Sequence, residues 1–445
     1  MKMKGPDLME EEQSRGSATS FEDQEILRGA GGMSWPRKKL ELLAADEPYS
    51  FVGGPFGSKL TSRDYSDQGI PVIRGSNLNN GRFLDMNEFV YVSDSKVRKD
   101  LSGNLAKPGD LVFTQRGTLG QVAIIPKEGI SDRYVVSQSQ MKLTVDDTKA
   151  DQFFLYYYFS SREVIDRITN FTSSSGVPHI NLTVLRNFEI PVPPLEIQKS
   201  IASILSAYDD LIENNRRRIQ LLEQAARLLY KEWFVRLRFP GHEHVRVMDG
   251  VPEGWAKGII ADLGKIITGK TPSTKTPENF GGNIPFVKTP DMHRSRIIVE
   301  TEEYLSEKGA ATQSNKTLPM GTILVACIGA KLGVVSITCL PCQTNQQINA
   351  VVPRKDYLTH YSLFALTDIK PRLEAMGGGA TMPNVSKTKF ASIPVLIPPQ
   401  IILQEFDGYA KILFQQIQLL NRQNSCLIRG RDLLLPRLMN GEIAV

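Results

Sequence analysis

The chain repeats itself, and that repetition constrains its fold more than any other feature. Gly69-Ile70-Pro71-Val72-Ile73-Arg74 returns as Asn283-Ile284-Pro285-Phe286-Val287-Lys288, and Gly109-Asp110-Leu111-Val112-Phe113 returns as Gly321-Thr322-Ile323-Leu324-Val325. Gly117-Thr118-Leu119-Gly120 is echoed by Gly329-Ala330-Lys331-Leu332-Gly333, Pro178-His179-Ile180-Asn181 by Pro383-Asn384-Val385-Ser386, and Pro193-Pro194 by Pro398-Pro399. The offset between copies falls from 214 (Pro71 to Pro285) through 212 (Gly109 to Gly321) to 205 (Pro194 to Pro399). A drift in one direction is the mark of a duplicated domain with small loop changes. The unit, roughly 200 residues, is far too long for a solenoid repeat. Two copies of a binding unit imply two similar targets at a fixed separation.

Within each unit the first ~150 residues read as β-rich, with short apolar runs such as Leu111–Thr114 and Val122–Ile125 divided by glycine turns. The end of each unit differs. No Pro or Gly interrupts the chain between Pro194 and Pro240, and apolar residues recur at spacings of four and three. Ile201, Leu205, Tyr208, Ile212, Asn215, Ile219, Leu222, Ala226, Leu229 and Trp233 form this heptad seam. The second copy gives Phe406, Ala410, Leu413, Ile417, Leu420, Asn424, Leu427, Arg431, Leu434 and Leu438. The expected fold class is α+β: two β-rich globular units joined by two long helices packed as an antiparallel coiled coil. Asn215 and Asn424 are then buried polar positions that fix register. About forty helical residues span roughly 60 Å, a spacer rather than a core element.

Composition narrows the class. The 445 residues are 41% hydrophobic and 23% charged, enough chain for two or three cores. The longest apolar run, residues 322–337, contains Lys331, Gly329 and Gly333 and reads as strands and turns rather than a membrane span. Four cysteines cannot be a disulfide scaffold, so a reducing cytoplasm is expected. Residues 1–32 hold four basic and seven acidic side chains, lack a signal-peptide layout, and read as a disordered leader before a domain start at Met33-Ser34-Trp35-Pro36. Of the net charge of +5, the leader supplies −3 and the body +8. A basic body suits a nucleic-acid partner.

Motifs for chemistry are missing, with one decoy. Gly264-Lys265-Ile266-Ile267-Thr268-Gly269-Lys270-Thr271 satisfies the phosphate-loop pattern, which needs a helix starting at the Lys-Thr. Pro272, Ser273, Thr274 and Pro277 follow instead, so it reads as a polar loop offering Lys265 and Lys270 to a phosphate backbone. Cys339-Leu340-Pro341-Cys342 has no second ligand pair, and His179, His242, His244, His293 and His360 are scattered. No metal site is expected. There is no Gly-x-Ser-x-Gly elbow, no Asn/Asp-Pro-Pro-aromatic motif of amino-group methyltransferases, and no nuclease-like acidic pair with a spaced lysine.

Pro191-Val192-Pro193-Pro194-Leu195-Glu196-Ile197-Gln198, Leu211-Ile212-Glu213-Asn214-Asn215-Arg216-Arg217 and Ala225-Ala226-Arg227 through Trp233-Phe234 resemble the central segment of the specificity (S) subunits of type I restriction–modification systems. Leu433-Leu434-Leu435-Pro436-Arg437-Leu438-Met439-Asn440-Gly441-Glu442-Ile443 is similar to that family's terminal segment. The resemblance covers residues ~33–445. The chain departs from it in its acidic leader and in Gln404, which follows its Pro-Pro one residue later than Gln198 does. It implies target recognition domains at 33–192 and 239–397, a central spacer helix at 193–238 and a C-terminal spacer helix at 398–445.

The resemblance further implies a non-catalytic subunit reading a bipartite, asymmetric site in double-stranded DNA. Its implied partners are two modification (methyltransferase) and two restriction (motor/nuclease) subunits, forming an adenine-N6 methyltransferase and nuclease complex. S-adenosylmethionine, ATP and magnesium belong on those partners, and this chain is expected to bind none. Phosphate contacts should come from Lys, Arg and turn N–H groups, and base reading from Arg, Lys, Asn and Gln. The candidates are Arg74, Asn77, Gln115, Arg116, Gly117, Thr118 and Gln138 in the first domain, and Lys288, Asp291, Lys331, Gln346 and Gln347 in the second. Two other classes remain open on the residues alone: a coiled-coil adaptor that binds no DNA, and a nucleotide-using enzyme built on Gly264–Thr271.

Overall fold

The computed structural model describes residues 35–78, 81–170, 179–329, 331–377 and 383–445. The leader, Met33-Ser34 and the repeat members Pro178 and Ala330 lie outside the described residues. The chain divides into two compact units, residues 1–207 with 430–445, and residues 208–429. Each long helix thus contributes residues to both units.

In the first unit, Phe51–Gly53, Gln140–Leu143, Leu111–Thr114 and Val122–Ile124 form a four-stranded antiparallel sheet. A five-stranded sheet orders Tyr65–Ser66, Val90–Val92, Ile70–Ile73, Tyr134–Val136 and Leu105–Ala106, with Ile70–Ile73 parallel to Tyr134–Val136. The second unit has a five-stranded sheet of Gly264–Thr268, Ile348–Pro353, Ile323–Ala326, Val335–Thr338 and Ile297–Ile298. A three-stranded sheet there pairs Phe280–Val287 antiparallel with Glu303–Leu305 and parallel with Gln343–Thr344. Strands Leu111–Thr114, Val122–Ile124, Ile323–Ala326 and Val335–Thr338 are buried along their whole length. That explains why they read as continuous apolar runs without alternation.

Each unit closes on itself. Arg37–Lys39 pairs with Glu189–Pro191, and Ala256–Ile259 with Pro394–Ile397, so the strand that leads into each Pro-Pro helix start is tied to an early strand of its own unit. The repeated tetrapeptide ending in Asn181 or Ser386 now has a physical cause. Asn181 Oδ1 accepts the Val184 N–H at 2.8 Å and Ser386 Oγ accepts the Lys389 N–H at 3.4 Å, each capping a short helix.

Besides short helical turns, the β-rich reading of the first 150 residues fails at one helix pair in each unit. Gln152–Ser160 with Arg162–Asn170, and Thr359–Asp368 with Lys370–Gly377, are helices. Phe154 through Phe159 are all buried, so the run carries no 3.6-residue period to mark it as helical.

The heptad stripes become helices Leu195–Tyr230 and Gln400–Met439, hereafter the central and C-terminal helices. In the second unit Asn215 Nδ2 donates to Asn424 Oδ1 at 3.0 Å, both side chains buried, and Trp233 stacks on Phe406 at 5.9 Å. Ascending one helix therefore descends the other: they are antiparallel. In the first unit Ile201, Ala202 and Leu205 share a core with Leu435, Leu438 and Met439. Every predicted seam residue (Ile201, Leu205, Tyr208, Ile212, Asn215, Ile219, Leu222, Leu229, Leu413, Ile417, Leu420, Asn424, Leu427 and Leu434) is buried or half-buried. Phe414 and Leu435, beside half-buried Leu413 and Leu434, are the more deeply buried members. A 3.6-residue helix drifts against a strict heptad, and each helix also serves a globular core, which widens its apolar face.

The two helices begin alike. The Gln198 N–H donates to Pro194 O at 3.0 Å and the Leu403 N–H to Pro399 O at 3.2 Å, so Leu403, not Gln404, is the counterpart of Gln198. The difference in spacing seen in the sequence is a Gln-to-Leu exchange with an exposed Gln404 beside it, not an inserted residue. The insertion lies further on. Asn215 follows Pro194 by 21 residues, whereas Asn424 follows Pro399 by 25. One extra helical turn, about 6 Å, precedes the seam asparagine in the C-terminal helix.

Candidate nucleic-acid interface

The candidate residues of each unit gather on turns that hydrogen bonds tie together. In the first unit Ser137 N–H donates to Ile73 O at 3.0 Å, Gln115 N–H to Ser139 O at 2.7 Å, Gly54 N–H to Gln140 O at 2.9 Å, and Ile180 N–H to Gln115 O at 3.0 Å. Arg116 bridges to His179. In the second unit Asn345 N–H donates to Val287 O at 3.2 Å, Cys327 N–H to Gln347 O at 2.8 Å, Gly269 N–H to Ile348 O at 3.0 Å, and Val385 N–H to Cys327 O at 2.9 Å. Ile328 bridges to Asn384. Bond for bond this is one frame built twice, with offsets falling from 215 (Gly54 to Gly269) to 205 (Ile180 to Val385). Its turn glycines repeat for a reason: Gly117 and Gly329 have φ of +99° and +110°, Gly120 and Gly333 +83° and +77°.

What lines the frame differs between copies. Arg116, Gly117, Thr118 and His179 are exposed on the first, and Phe56, two residues after Gly54 of the frame, is 78% exposed. Lys270, Lys331, Gln346 and Asn384 are exposed on the second. Gln346 Oε1 accepts from the Thr271 hydroxyl at 2.6 Å, and half-buried Gln347 accepts from the Thr289 hydroxyl and from Asn345 Nδ2, both at 3.1 Å. Arg74 donates to Glu88 O at 3.4 Å, and its Nε is buried without a partner. Lys288 pairs with Glu303 and lies 5.9 Å from the centre of the Phe286 ring.

Three candidates face inward and hold turns. Asn77 is buried; its Oδ1 accepts the Arg74 N–H at 3.0 Å and its Nδ2 donates to Asp85 O and Asn87 O, both at 3.2 Å. Asp291, at the same place in the second unit, accepts the N–H groups of Lys288 (2.9 Å) and Glu302 (3.1 Å). Gln138 Nε2 donates to Gly57 O at 2.5 Å and Leu60 O at 3.1 Å. Short polar side chains satisfy buried turn amides as readily as they read bases, and spacing alone does not tell the two apart. Gln115 is also largely buried. Sequence reasoning missed His179 and Asn384, which only the folded loops bring to the cluster.

The phosphate-loop pattern is overturned, and its reading as a polar loop holds only for residues 269–271. Gly264–Thr268 is a strand paired with Ile348–Pro353, and no helix starts at Lys270. The Gly269 and Lys270 N–H groups are taken by Ile348 O and Thr344 O. A Cβ on Gly269 would lie 2.1 Å from Asn345 O, so this glycine serves close backbone packing rather than a phosphate. Burial pushes the thiols of Cys339 and Cys342 up to about 11 and about 12, so both are protonated near neutral pH and poor metal ligands. No helix among the described residues is long and apolar enough to cross a membrane.

The model of the type I restriction modification DNA specificity domain matches the chain twice, over residues 57–224 and 252–425. The type I restriction enzyme HindI specificity subunit of Haemophilus influenzae is 31% identical over 437 residues, covering 82% of this chain and 94% of that protein. The MjaIX specificity subunit of Methanocaldococcus jannaschii is 25% identical, covering 96% and 97% of the two chains. The S subunit of a type I restriction–modification system from M. genitalium is similar in structure, with a TM-score of 0.57 at 17% identity over 92% of this chain and 97% of that one. That last likeness speaks for the fold alone.

Proposed function

Because the chain belongs to the specificity subunits of type I restriction–modification systems, we propose that it is the non-catalytic, sequence-reading member of such a complex. Each unit reads one half of a bipartite, asymmetric duplex site. The observation that carries this reading is the duplicated loop frame: its backbone hydrogen bonds are held constant while its exposed side chains differ. A constant frame with changed readers is what two unlike half-sites require. Arg116, Thr118 and His179 are the readers in the first unit, and Lys270, Lys331, Gln346 and Asn384 in the second.

The helices act as spacer and as docking surface for two modification subunits. Within the second unit Leu221 and Leu228 on the central helix, Val235 in the π-helical segment that follows it, and Ile412 and Leu419 on the C-terminal helix are more than half exposed at seven-residue intervals. Apolar residues at that spacing on an already paired helix suit a further helix. S-adenosylmethionine, ATP and magnesium belong to the partner subunits, the last two with a pair of restriction subunits.

The test is a gel shift of the complex with its modification subunit across a salt series, followed by base-resolution mapping of methylated adenines. Salt-dependent affinity and a two-part methylated motif are expected; duplex affinity without salt dependence ends the reading. Deleting one turn, residues 411–414, should shorten the gap in that motif by about one to two base pairs, given ~6 Å per turn and ~34 Å per ten base pairs. An unchanged gap means the helices do not set it.

A further inference from the structure

A cleft of about 620 Å³ opens in the second unit between the central helix, residues 292–296 and the helix pair 359–377. Glu223 and Arg227 line it from the central helix, with His293, Arg296, Asp368 and Lys370 opposite. Lys370 is paired with exposed Glu374 at 3.7 Å, but no ion pair within 4 Å closes among Glu223, Arg227, Arg296 and Asp368. Arg296 instead donates to the Thr367 hydroxyl at 3.4 Å. Burial pushes the carboxyls of Glu223 and Asp368 up and the Arg296 guanidinium down, each partly opposed by the charges facing it. Lys231, acting on Asp368, and Lys331, acting on His293, add positive charge at the rim. With Arg294 and Lys370 paired to Glu302 and Glu374, four further cations (Arg227, Arg296, Lys231 and Lys331) surround the Glu223 and Asp368 carboxylates in a space with room for a ligand.

Location indicates what enters. Gly333 lines the cleft, two residues beyond Lys331, and residues 292–294 end the short helix that begins just after Lys288. A duplex seated on the Lys331 and Gln346 turns carries its backbone past this opening. The matching place in the first unit is built differently. Ile124 N–H donates to Arg82 O at 3.0 Å as Ile337 N–H donates to Arg296 O at 2.8 Å, so Arg82 is the counterpart of Arg296. Its guanidinium lies over the Phe83 and Phe153 rings at 4.7 and 5.6 Å.

We infer that this cleft is a phosphate-group site, taking a DNA phosphodiester beside the half-site that the second unit reads, with Arg227 and Arg296 as its donors. Arginine suits the role because its planar fork matches two phosphate oxygens at once. The choice of DNA as the source rests on the functional reading above; the phosphate chemistry rests on the cleft itself.

The experiment uses the complex with its modification subunit and compares wild type with Arg296→Gln and, because Arg296 is partly buried, with Arg227→Gln on the exposed helix surface. Affinity is measured against salt for a duplex carrying the mapped site and for a scrambled duplex, and inorganic pyrophosphate is titrated calorimetrically. Each variant should weaken both duplexes about equally, by roughly tenfold at low salt, and make the log–log salt slope shallower by about one. Pyrophosphate affinity lost in the variants with an unchanged DNA slope keeps the phosphate site and assigns it to a free phosphate ligand. An unchanged slope together with unchanged pyrophosphate behaviour in both variants overturns the inference. Wild-type duplex affinity without salt dependence instead defeats the functional reading, and the pyrophosphate titration still decides the cleft.

Discussion

The two units share their backbone hydrogen bonds and differ in what they bury beneath them. In the first, Lys142 Nζ lies 3.2 Å from Asp110 and 2.7 Å from Thr144 Oγ1, and the Thr144 hydroxyl donates to Asp110 Oδ1 at 2.7 Å, all three side chains being buried. In the second, register places Thr322, Ala350 and Val352 at those positions, with no ion pair. The sheet is the same, so the ionic triad is not what makes it. Asp110 also accepts the Lys107 N–H at 2.9 Å, which ties the triad to the turn before the strand. Backbone register and glycine placement carry the shared fold, while the buried polar groups are local to one copy.

The strongest way to test that view is to attack what the copies share. A Cβ on Gly54 would lie 1.8 Å from Ser137 O, and one on Gly269 2.1 Å from Asn345 O. The clash is with backbone in both cases and cannot be relieved by a rotamer. Gly54→Ala and Gly269→Ala should each destabilise their own unit by about 4 kcal/mol, at the upper end for single substitutions. Hydrogen exchange resolved by unit should locate each loss in the mutated copy. A tolerated substitution in either copy would show that the frame is not held by this close approach.

The next effect is confined to one copy. Lys142→Ala leaves the buried Asp110 carboxylate without its counter-charge, at a cost of about 3–5 kcal/mol to the first unit in chemical denaturation. The double change Lys142→Met with Asp110→Leu should recover most of that cost, because replacing a buried pair by apolar groups is often neutral. Failure of the double variant to recover would mean that Asp110 matters chiefly through the Lys107 turn.

These contrasts also mark what the sequence made legible. The duplication, the antiparallel helix pair and the seam asparagines were readable because they depend on period and order. The helices at Gln152–Ser160 and Thr359–Asp368 were not, since burial on every side erases periodicity. The site was half legible. Exposed Arg116 and Lys331 sit where glycine turns put them, but Asn77, Asp291 and Gln138 are spent on turn amides that lie far from them in sequence or on the opposite side of a turn. The Arg296 cleft had no linear signal, because Glu223, Arg296 and Asp368 come from three separate stretches of chain.

The smallest effect concerns the helix seam within the second unit. Asn215 and Asn424 satisfy one another in a buried position. Asn215→Leu strands the Asn424 amide and should cost about 1–2 kcal/mol. The double variant with Asn424→Leu should match or exceed wild-type stability, since a paired buried polar group is retained for register rather than strength. The cost of that stability should appear elsewhere: with one extra turn in the C-terminal arm, an all-apolar seam can slide by a turn to equalise the arms. A cysteine cross-link placed across the wild-type register should then form less completely in the double variant. Equal cross-linking yields in the two proteins would mean that the globular cores the helices also serve, not the asparagines, set the register.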